Sequence, residues 1–254
     1  MRSAARRVSS LHVQMSKCFS QTPKQKFIFF FGAPGVGKGT YAQFLSRDFS
    51  YNQIATGDEI RKIIKNQDTG SMNPKLVKEI REIVKSGNLV SDDIVINIIK
   101  EKLKEKSSQK GVIFDGFPRT IQQLNKYEET LPTHLVINIV LNESILLEKA
   151  LARRTCVGCG KSYNICSIHR DGYEMDPLNP KKDGICDKCG DKLVIREDDT
   201  EAVIKKRMVE YQTKTAPILE IYKKRNIVFE FEPKRGVKDY DKFLGLVKPL
   251  IEKI

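Results

Sequence analysis

Five consecutive apolar residues, Phe27 to Phe31, run into Gly32-Ala33-Pro34-Gly35-Val36-Gly37-Lys38-Gly39-Thr40, and a helical pattern (Tyr41, Phe44, Leu45) follows. The apolar run is too short for a helix and stops at a glycine, so it reads as a strand buried on both faces. Strand, glycine loop and helix in that order form a phosphate-binding arrangement. The glycines let backbone N–H groups turn inward around a polyphosphate, and the helix adds its positive N-terminal end. Lys38 supplies a full positive charge for the terminal phosphates. One detail departs from the general pattern: Gly39 follows the lysine, and the hydroxyl comes one place later, at Thr40.

A chain of 254 residues can bury a substantial core as one domain, or as one domain carrying inserts. No apolar run approaches the ~18 residues of a membrane span, which excludes a transmembrane helix. The net charge is +13, but much of the excess is concentrated at one end. Residues 1–26 carry Arg2, Arg6, Arg7, Lys17, Lys24 and Lys26, and the first acid of the chain is Asp48. This Arg- and Ser-rich start lacks the apolar core of a secretory signal and has the composition of an organelle transit peptide. Residues 1–25 are therefore expected to be a leader directing the protein to the mitochondrial matrix; without that address the expectation is cytoplasmic.

The pattern downstream alternates strands with helices. Thr56 and Asp58 are natural caps for a helix carrying Ile60, Ile63 and Ile64. Residues 74–86 form an amphipathic helix ended by Gly87, and Ser91-Asp92-Asp93 caps the next. Gly111–Asp115, Leu135–Leu141 and Ile227–Phe231 read as further buried strands. A phosphate loop after the first of several strands separated by helices predicts an α/β fold, a doubly wound parallel sheet. Residues 155–195 differ, with polar loops, glycines and two CxxC pairs, Cys156/Cys159 and Cys186/Cys189. That spacing fits a tetrahedral zinc site better than disulfides, and a metal knot would replace the missing apolar core. Cys166 and His169 form a CxxH within the gap and are the alternative ligand pair.

Four motifs occur in order: the glycine loop, Thr56-Gly-Asp-Glu-Ile-Arg61, Asp115-Gly-Phe-Pro-Arg-Thr120 and Arg196-Glu-Asp-Asp199. Together they resemble the adenylate kinase family in its long form with a cysteine-bearing lid, and the Lys-Gly-Thr ending of the loop is that family's form. The resemblance covers the chain from about Lys26 onward. It implies a core of 26–55, 91–152 and 198–254, a monophosphate-binding insert of 56–90 and a lid of 153–197. It implies reversible Mg²⁺-dependent phosphoryl transfer from ATP to AMP, forming ADP, with GTP as the alternative donor. By the same resemblance, residues 32–40 hold the donor phosphates, while Arg61 and Arg119 hold the phosphate of AMP. Arg153, Arg196 and Arg207 reach the transferred group, the last two also serving the AMP side. Thr56 and Gln123 meet the acceptor's adenine, and Gly116 allows its close approach. Asp115 and Asp199 join the magnesium–water shell. Lys149 stands where the family often has an arginine against the donor base, and lysine cannot stack as guanidinium does.

Phosphoryl transfer needs positioning, cations and exclusion of water more than covalent help, and the arginines dispersed through separate motifs supply the cations. The four cysteines would be structural. A monomer is expected, with no membrane or nucleic-acid partner. A zinc-ribbon nucleic-acid protein is the rival from another class, but the lid lacks a dense Lys/Arg run interleaved with aromatics. A nucleotide-binding switch would leave Thr56, Arg61, Arg119 and Gln123 without purpose.

Overall fold

The computed structural model describes residues 25–65 and 73–254. The expected leader, apart from Gln25, lies outside the described residues, as does the stretch 66–72 of the insert.

The first strand, β1 (Lys26–Phe31), is the middle of the sheet. It is followed by α1 (Lys38–Phe49), β2 (Asn52–Ala55) and the insert helices α2 (Thr56–Ile64) and α3 (Pro74–Lys85). Then come α4 (Asp92–Leu103), β3 (Gly111–Asp115), α5 (Ile121–Glu128), β4 (Leu135–Ile139) and α6 (Glu143–Leu151). Five parallel strands lie in the order β10–β4–β1–β3–β2, with β10 (Val228–Phe231) at one edge. The doubly wound parallel sheet is as expected. β2 is the strand that apolar patterning does not reveal, because only Ile54 of Asn-Gln-Ile-Ala is buried.

The phenylalanines of β1 show why it sits at the centre. Phe27, Phe29 and Phe31 enter the core on one face, and Ile28 and Phe30 enter the core on the other. Side chains of a strand alternate with period two, so only a strand covered on both sides needs five apolar residues running. Phe29 stacks on Phe114 of β3 at 4.6 Å and meets Tyr127 of α5 edge-on at 5.1 Å. Burying each such ring stabilises the fold by roughly 1.5–3 kcal/mol. The parallel register then brings the carboxyl ends of β1 and β3 together, pairing Phe30 with Asp115. Open parallel sheets bind ligands at that edge.

The caps differ from expectation in two places. Thr56 is the first residue of α2, whose N-cap is Ala55, and neither Thr56 nor Asp58 caps it. Ser91 stands at the N-cap of α4 without a side-chain bond.

After α6 the chain forms β5 (Arg153–Cys156), β6 (Ser162–Asn164), the hairpin β7 (Ile168–Arg170) and β8 (Tyr173–Met175), and β9 (Leu193–Val194). Strands β6–β5–β9 make a small antiparallel sheet beneath the cysteine pairs. The hairpin is different in kind. Ile168, Tyr173 and Met175 are buried with Ile145 of α6, so residues 168–175 pack on the body. The long gap between the CxxC pairs is therefore not all loop. The chain closes with α7 (Glu201–Glu210), a π-helical turn at Tyr211–Thr215, α8 (Ala216–Lys224), β10 and α9 (Tyr240–Lys253). No described helix is long and apolar enough to cross a membrane.

Candidate active site

One cleft of about 550 Å³ runs across the carboxyl edge of the sheet. It is lined by the loop (Gly32 and residues 34–40), by Thr56, Arg61, Asp115, Gly116, Arg119 and Gln123, and by Lys149, Arg153, Arg196 and Arg207. Residues from four separate motifs thus meet in one place. Two predicted residues are not on its wall. Ala33 contributes its carbonyl from behind, and Asp199 lies beneath.

The loop is held by its own lysine. Lys38 Nζ donates to the carbonyls of Gly32 at 2.7 Å and Ala33 at 2.9 Å. Gly32 has φ +135°, and a Cβ there would lie 2.3 Å from the carbonyl oxygen of Ile139, which no side chain permits. Gly39 has a different reason. A Cβ at residue 39 would lie 3.0 Å from Asp115 Oδ2, tighter than ordinary contact. A side chain at residue 39 would crowd the Asp115 carboxylate, and the loop's hydroxyl stands one place on, at Thr40.

Lys38 and Asp115 are coupled. Burial lowers the Lys38 ammonium to about 8, with Asp115 opposing and Arg119, Arg207 and Arg153 adding to the fall. Burial raises Asp115, and Lys38 offsets part of that rise. Both groups are enclosed where a charge without a counter-charge is costly.

The arginines surround this pair. Arg119 Nε donates to the carbonyl of Gly116 at 2.8 Å. Its backbone is fixed independently: its N–H donates to Gln123 Oε1 at 2.8 Å, and its carbonyl accepts from Thr215 Oγ1 at 3.0 Å. Gln123 in turn donates from Nε2 to Asp92 Oδ1 at 2.8 Å. The Thr56 hydroxyl donates to the carbonyl of Gly116 at 2.7 Å, tying the insert to the Asp115–Thr120 segment.

Arg61 pairs with Asp58 at 2.5 Å, Arg196 reaches the same Asp58 at 3.4 Å, and Arg207 pairs with Asp198 at 2.7 Å. Arg153 clamps Asp199 through two bonds, one from Nε at 2.8 Å. The Asp199 side chain is fully enclosed. Expected in a magnesium shell, it instead gives both oxygens to Arg153. Burial and neighbouring arginines lower Arg119, Arg196 and Arg207 from their ordinary values. Burial also works against Arg153, but its bonds to Asp199 raise it on balance. Five arginines and Lys38 face Asp58, Asp115, Asp198 and Asp199, so the cleft holds surplus positive charge that an anion would neutralise.

The insert and the lid touch across the cleft. Besides Arg196 and Asp58, Lys65 Nζ reaches the carbonyl of Val157 at 3.4 Å, while Lys206 Nζ, on α7 of the body, reaches that of Ser86 at 3.1 Å. These contacts draw residues 56–65 and the 153–197 segment towards one another over the cleft, the approach that exclusion of water requires.

At the lid's tip the sulfurs of Cys156, Cys159, Cys186 and Cys189 lie within 4.8 Å of one another. Cys156 and Cys189 are 3.4 Å apart and Cys159 and Cys186 are 3.6 Å apart. Zn–S bonds of about 2.3 Å in a tetrahedron set sulfurs roughly 3.8 Å apart, so the four thiols fit zinc. Tyr163 donates to Cys186 Sγ at 3.6 Å. Burial raises that thiol, but the Tyr163 hydroxyl and the N–H groups of Lys188 and Cys189 pull it down to about 6, towards thiolate. Cys166 and His169 are elsewhere. Cys166 bonds to Asn164 Oδ1, and His169 lies between Glu174 and Ser167.

Asp58, Asp92, Asp198 and Thr215 complete the site, although patterning offers Asp58 and Asp92 only as helix caps and does not single out Asp198 or Thr215. Asp58 and Asp198 stand inside motifs as helix-start and acidic residues. Thr215 owes its place to the π-helical turn, and such turns cluster at functional sites.

A phosphate loop whose lysine opens onto a cleft lined by five arginines marks a nucleoside monophosphate kinase. The sequence matches the adenylate kinase family across residues 30–227, and the chain belongs to that family. A GTP:AMP phosphotransferase of Plasmodium falciparum (isolate 3D7) is 37% identical over 226 residues, covering 87% of this chain and 95% of the relative. The chloroplastic adenylate kinase 1 of Arabidopsis thaliana is 39% identical over 218 residues, 83% of this chain and 73% of the relative. An adenylate kinase of Archaeoglobus fulgidus is 34% identical over 232 residues, 89% of this chain and 98% of the relative. The protein is a nucleotide-dependent phosphotransferase acting on AMP.

Proposed function

We propose that the chain catalyses reversible transfer of the terminal phosphoryl group of ATP or GTP to AMP, with Lys38 at the boundary between the two lobes. The observation that supports this most is the convergence of Arg61, Arg119, Arg153, Arg196 and Arg207 on one cleft with Lys38. The loop N–H groups hold the donor phosphates, and Arg61 and Arg119 hold the acceptor phosphate in line. Arg196 and Arg207 exchange Asp58 and Asp198 for phosphate oxygens when substrate enters, which costs little because the charges are already in position. Thr56 and Gln123 face the acceptor base, and the bond from Thr56 to Gly116 sets its distance from the phosphate site.

Magnesium brought in with the donor would supply charge neutralisation during transfer. Asp115 suits its water shell: among the described residues its carboxylate accepts no hydrogen bond, and it stands beside Gly39. Asp199 acts through Arg153 as a positioning residue. Zinc in the four-cysteine cluster would order β5, β6 and β9 without touching substrate.

The acid-free composition of residues 1–25 supports delivery to the mitochondrial matrix, which a fluorescent fusion with and without them would test. The enzyme is proposed to act as a monomer, to be checked by light scattering. The reaction itself is tested by acceptor choice. Diphosphate formation from AMP should exceed that from GMP, CMP and UMP by orders of magnitude, and equal rates would remove the role given to Thr56 and Gln123.

A further inference from the structure

We propose that Lys149 and Asp176 make the donor-base lobe select a 6-oxopurine, so that guanine is preferred over adenine in the triphosphate. The inference rests on the phosphotransferase reading above and concerns only which base its donor carries.

Beyond the glycine loop the cleft continues past Lys149 to Met175, Asp176 and Leu178, with Pro233 and Val237 opposite. This wall is rigid. The hairpin that carries it is pinned by the Tyr173 hydroxyl, which accepts from the Asn142 N–H at 2.9 Å and donates to Glu232. The Glu174 N–H donates to the carbonyl of Lys234 at 2.9 Å. Elements held this way can set polar groups accurately enough to discriminate.

Lys149 is the unsatisfied group in the lobe. Among the described residues its ammonium donates only to Met175 Sδ, at 3.6 Å. A thioether is a weak acceptor, and an ammonium has three N–H groups to place. Burial lowers its pKa, which agrees with a cation short of partners. It would be satisfied by a carbonyl oxygen. Asp176, next to Met175, adds a carboxylate on the same wall; its counter-ion is Lys238 at the rim.

The two purines present opposite polarity to such a pair. Guanine shows O6 and N7 as adjacent acceptors, matched to lysine, and offers N1–H and the 2-amino group to a carboxylate. Adenine places its 6-amino donor where guanine has O6, so Lys149 would meet like polarity, and its N1 gives Asp176 an acceptor to face. Leaving the half-buried Lys149 ammonium without an acceptor is the main penalty that discriminates, and the exposed Asp176, which keeps Lys238 as counter-ion, adds the smaller share.

The test uses the full chain, saturating AMP and three magnesium triphosphates: GTP, ITP and ATP. Inosine keeps O6, N7 and N1–H but lacks the 2-amino group, so it isolates the contacts assigned here. The expected order of kcat/KM is GTP, closely followed by ITP, then ATP lower by roughly tenfold to a hundredfold, the worth of one well-made base contact. Lys149→Met should shrink the GTP/ATP ratio at least tenfold through the KM of GTP and ITP. Asp176→Ala should act in the same direction. A merely structural role for either residue would lower all three donors together, along with the melting temperature. Calorimetric binding of MgGTP and MgATP to the wild-type chain reads the preference independently of turnover. Equal or tighter ATP binding, or ITP behaving like ATP, overturns the proposal while AMP phosphorylation stands. Failure of every donor to phosphorylate AMP, with guanine still bound preferentially, would instead defeat the phosphotransferase reading alone.

Discussion

Replacing Arg119 by methionine separates catalysis from stability. Its guanidinium lines the cleft and, among the described residues, makes one bond, from Nε to the Gly116 carbonyl at 2.8 Å. Both of its backbone groups are held by Gln123 and Thr215, so the loop conformation does not depend on the side chain. The charge is uncomfortable where it stands. Burial, with Arg207 and Arg61 as further causes and Asp115 opposing, lowers its pKa from the ordinary arginine value to about 10. That drop corresponds to at most ~3 kcal/mol, and water in the cleft screens it to about 1 kcal/mol. Losing the bond to Gly116 costs about 1 kcal/mol in return. The substrate-free variant should therefore melt within ~3 °C of the wild type, on a scale of about 2–4 °C per kcal/mol for a domain of this size. Turnover should fall by roughly 10²–10³, as when a donor to transition-state charge is removed. The assays are kcat for AMP phosphorylation and thermal melting of the same preparation. Wild-type turnover, or a melting temperature that falls by more than about 6 °C along with activity, would show that Arg119 supports the fold rather than the phosphate.

Three further outcomes follow from the same geometry. Gly39→Ser would put a Cβ 3.0 Å from Asp115 Oδ2; the displaced carboxylate should cost about tenfold in kcat and weaken the apparent Mg²⁺ affinity, whereas an unchanged magnesium titration would separate Asp115 from the metal's shell. Lys38, at about 8 in the free protein, is raised again by bound phosphate. Donor affinity should therefore be flat below pH 8, where the free ammonium is already charged. Above it, affinity should fall by up to about tenfold per pH unit until the pKa of the complex is passed. Lys38→Met should flatten that limb in calorimetric titrations, and a limb that persists belongs to another group. The purified chain should carry about one zinc, and Cys186→Ser should lose it and loosen the lid to proteolysis; a metal-free wild type with a protease-resistant lid would refute the zinc assignment.

The legibility of the chain was uneven for physical reasons. β1, β3 and β4 are buried on both faces, and a run such as Phe27–Phe31 has no other stable use, so the sheet could be read directly. β2 could not, because an edge strand needs only Ile54 inside. The glycine loop and the CxxC pairs are local chemistry at fixed spacing and survived intact. What escaped notice depends on contacts far apart in sequence. Thr56 looks like a helix cap until Gly116 arrives from 60 residues away to accept its proton. Asp199, which the resemblance puts in the magnesium–water shell, has its carboxylate held by Arg153 from a separate strand, a contact no local pattern announces. The hairpin at 168–175 looked like part of a coreless lid, because its burying partner, Ile145, lies on a helix of the body. The Gly39 departure, legible only as a family form, has a cause once Asp115 is seen beside it.

The most direct test of the central claim follows the labelled terminal phosphate of a magnesium-bound triphosphate, ATP and GTP in parallel, with and without AMP. The arginine-lined cleft predicts label in the diphosphate formed from AMP, and almost none in free phosphate when AMP is withheld. Rapid release of free phosphate that AMP does not divert would contradict the account, because water rather than a second nucleotide would then occupy the position facing Lys38.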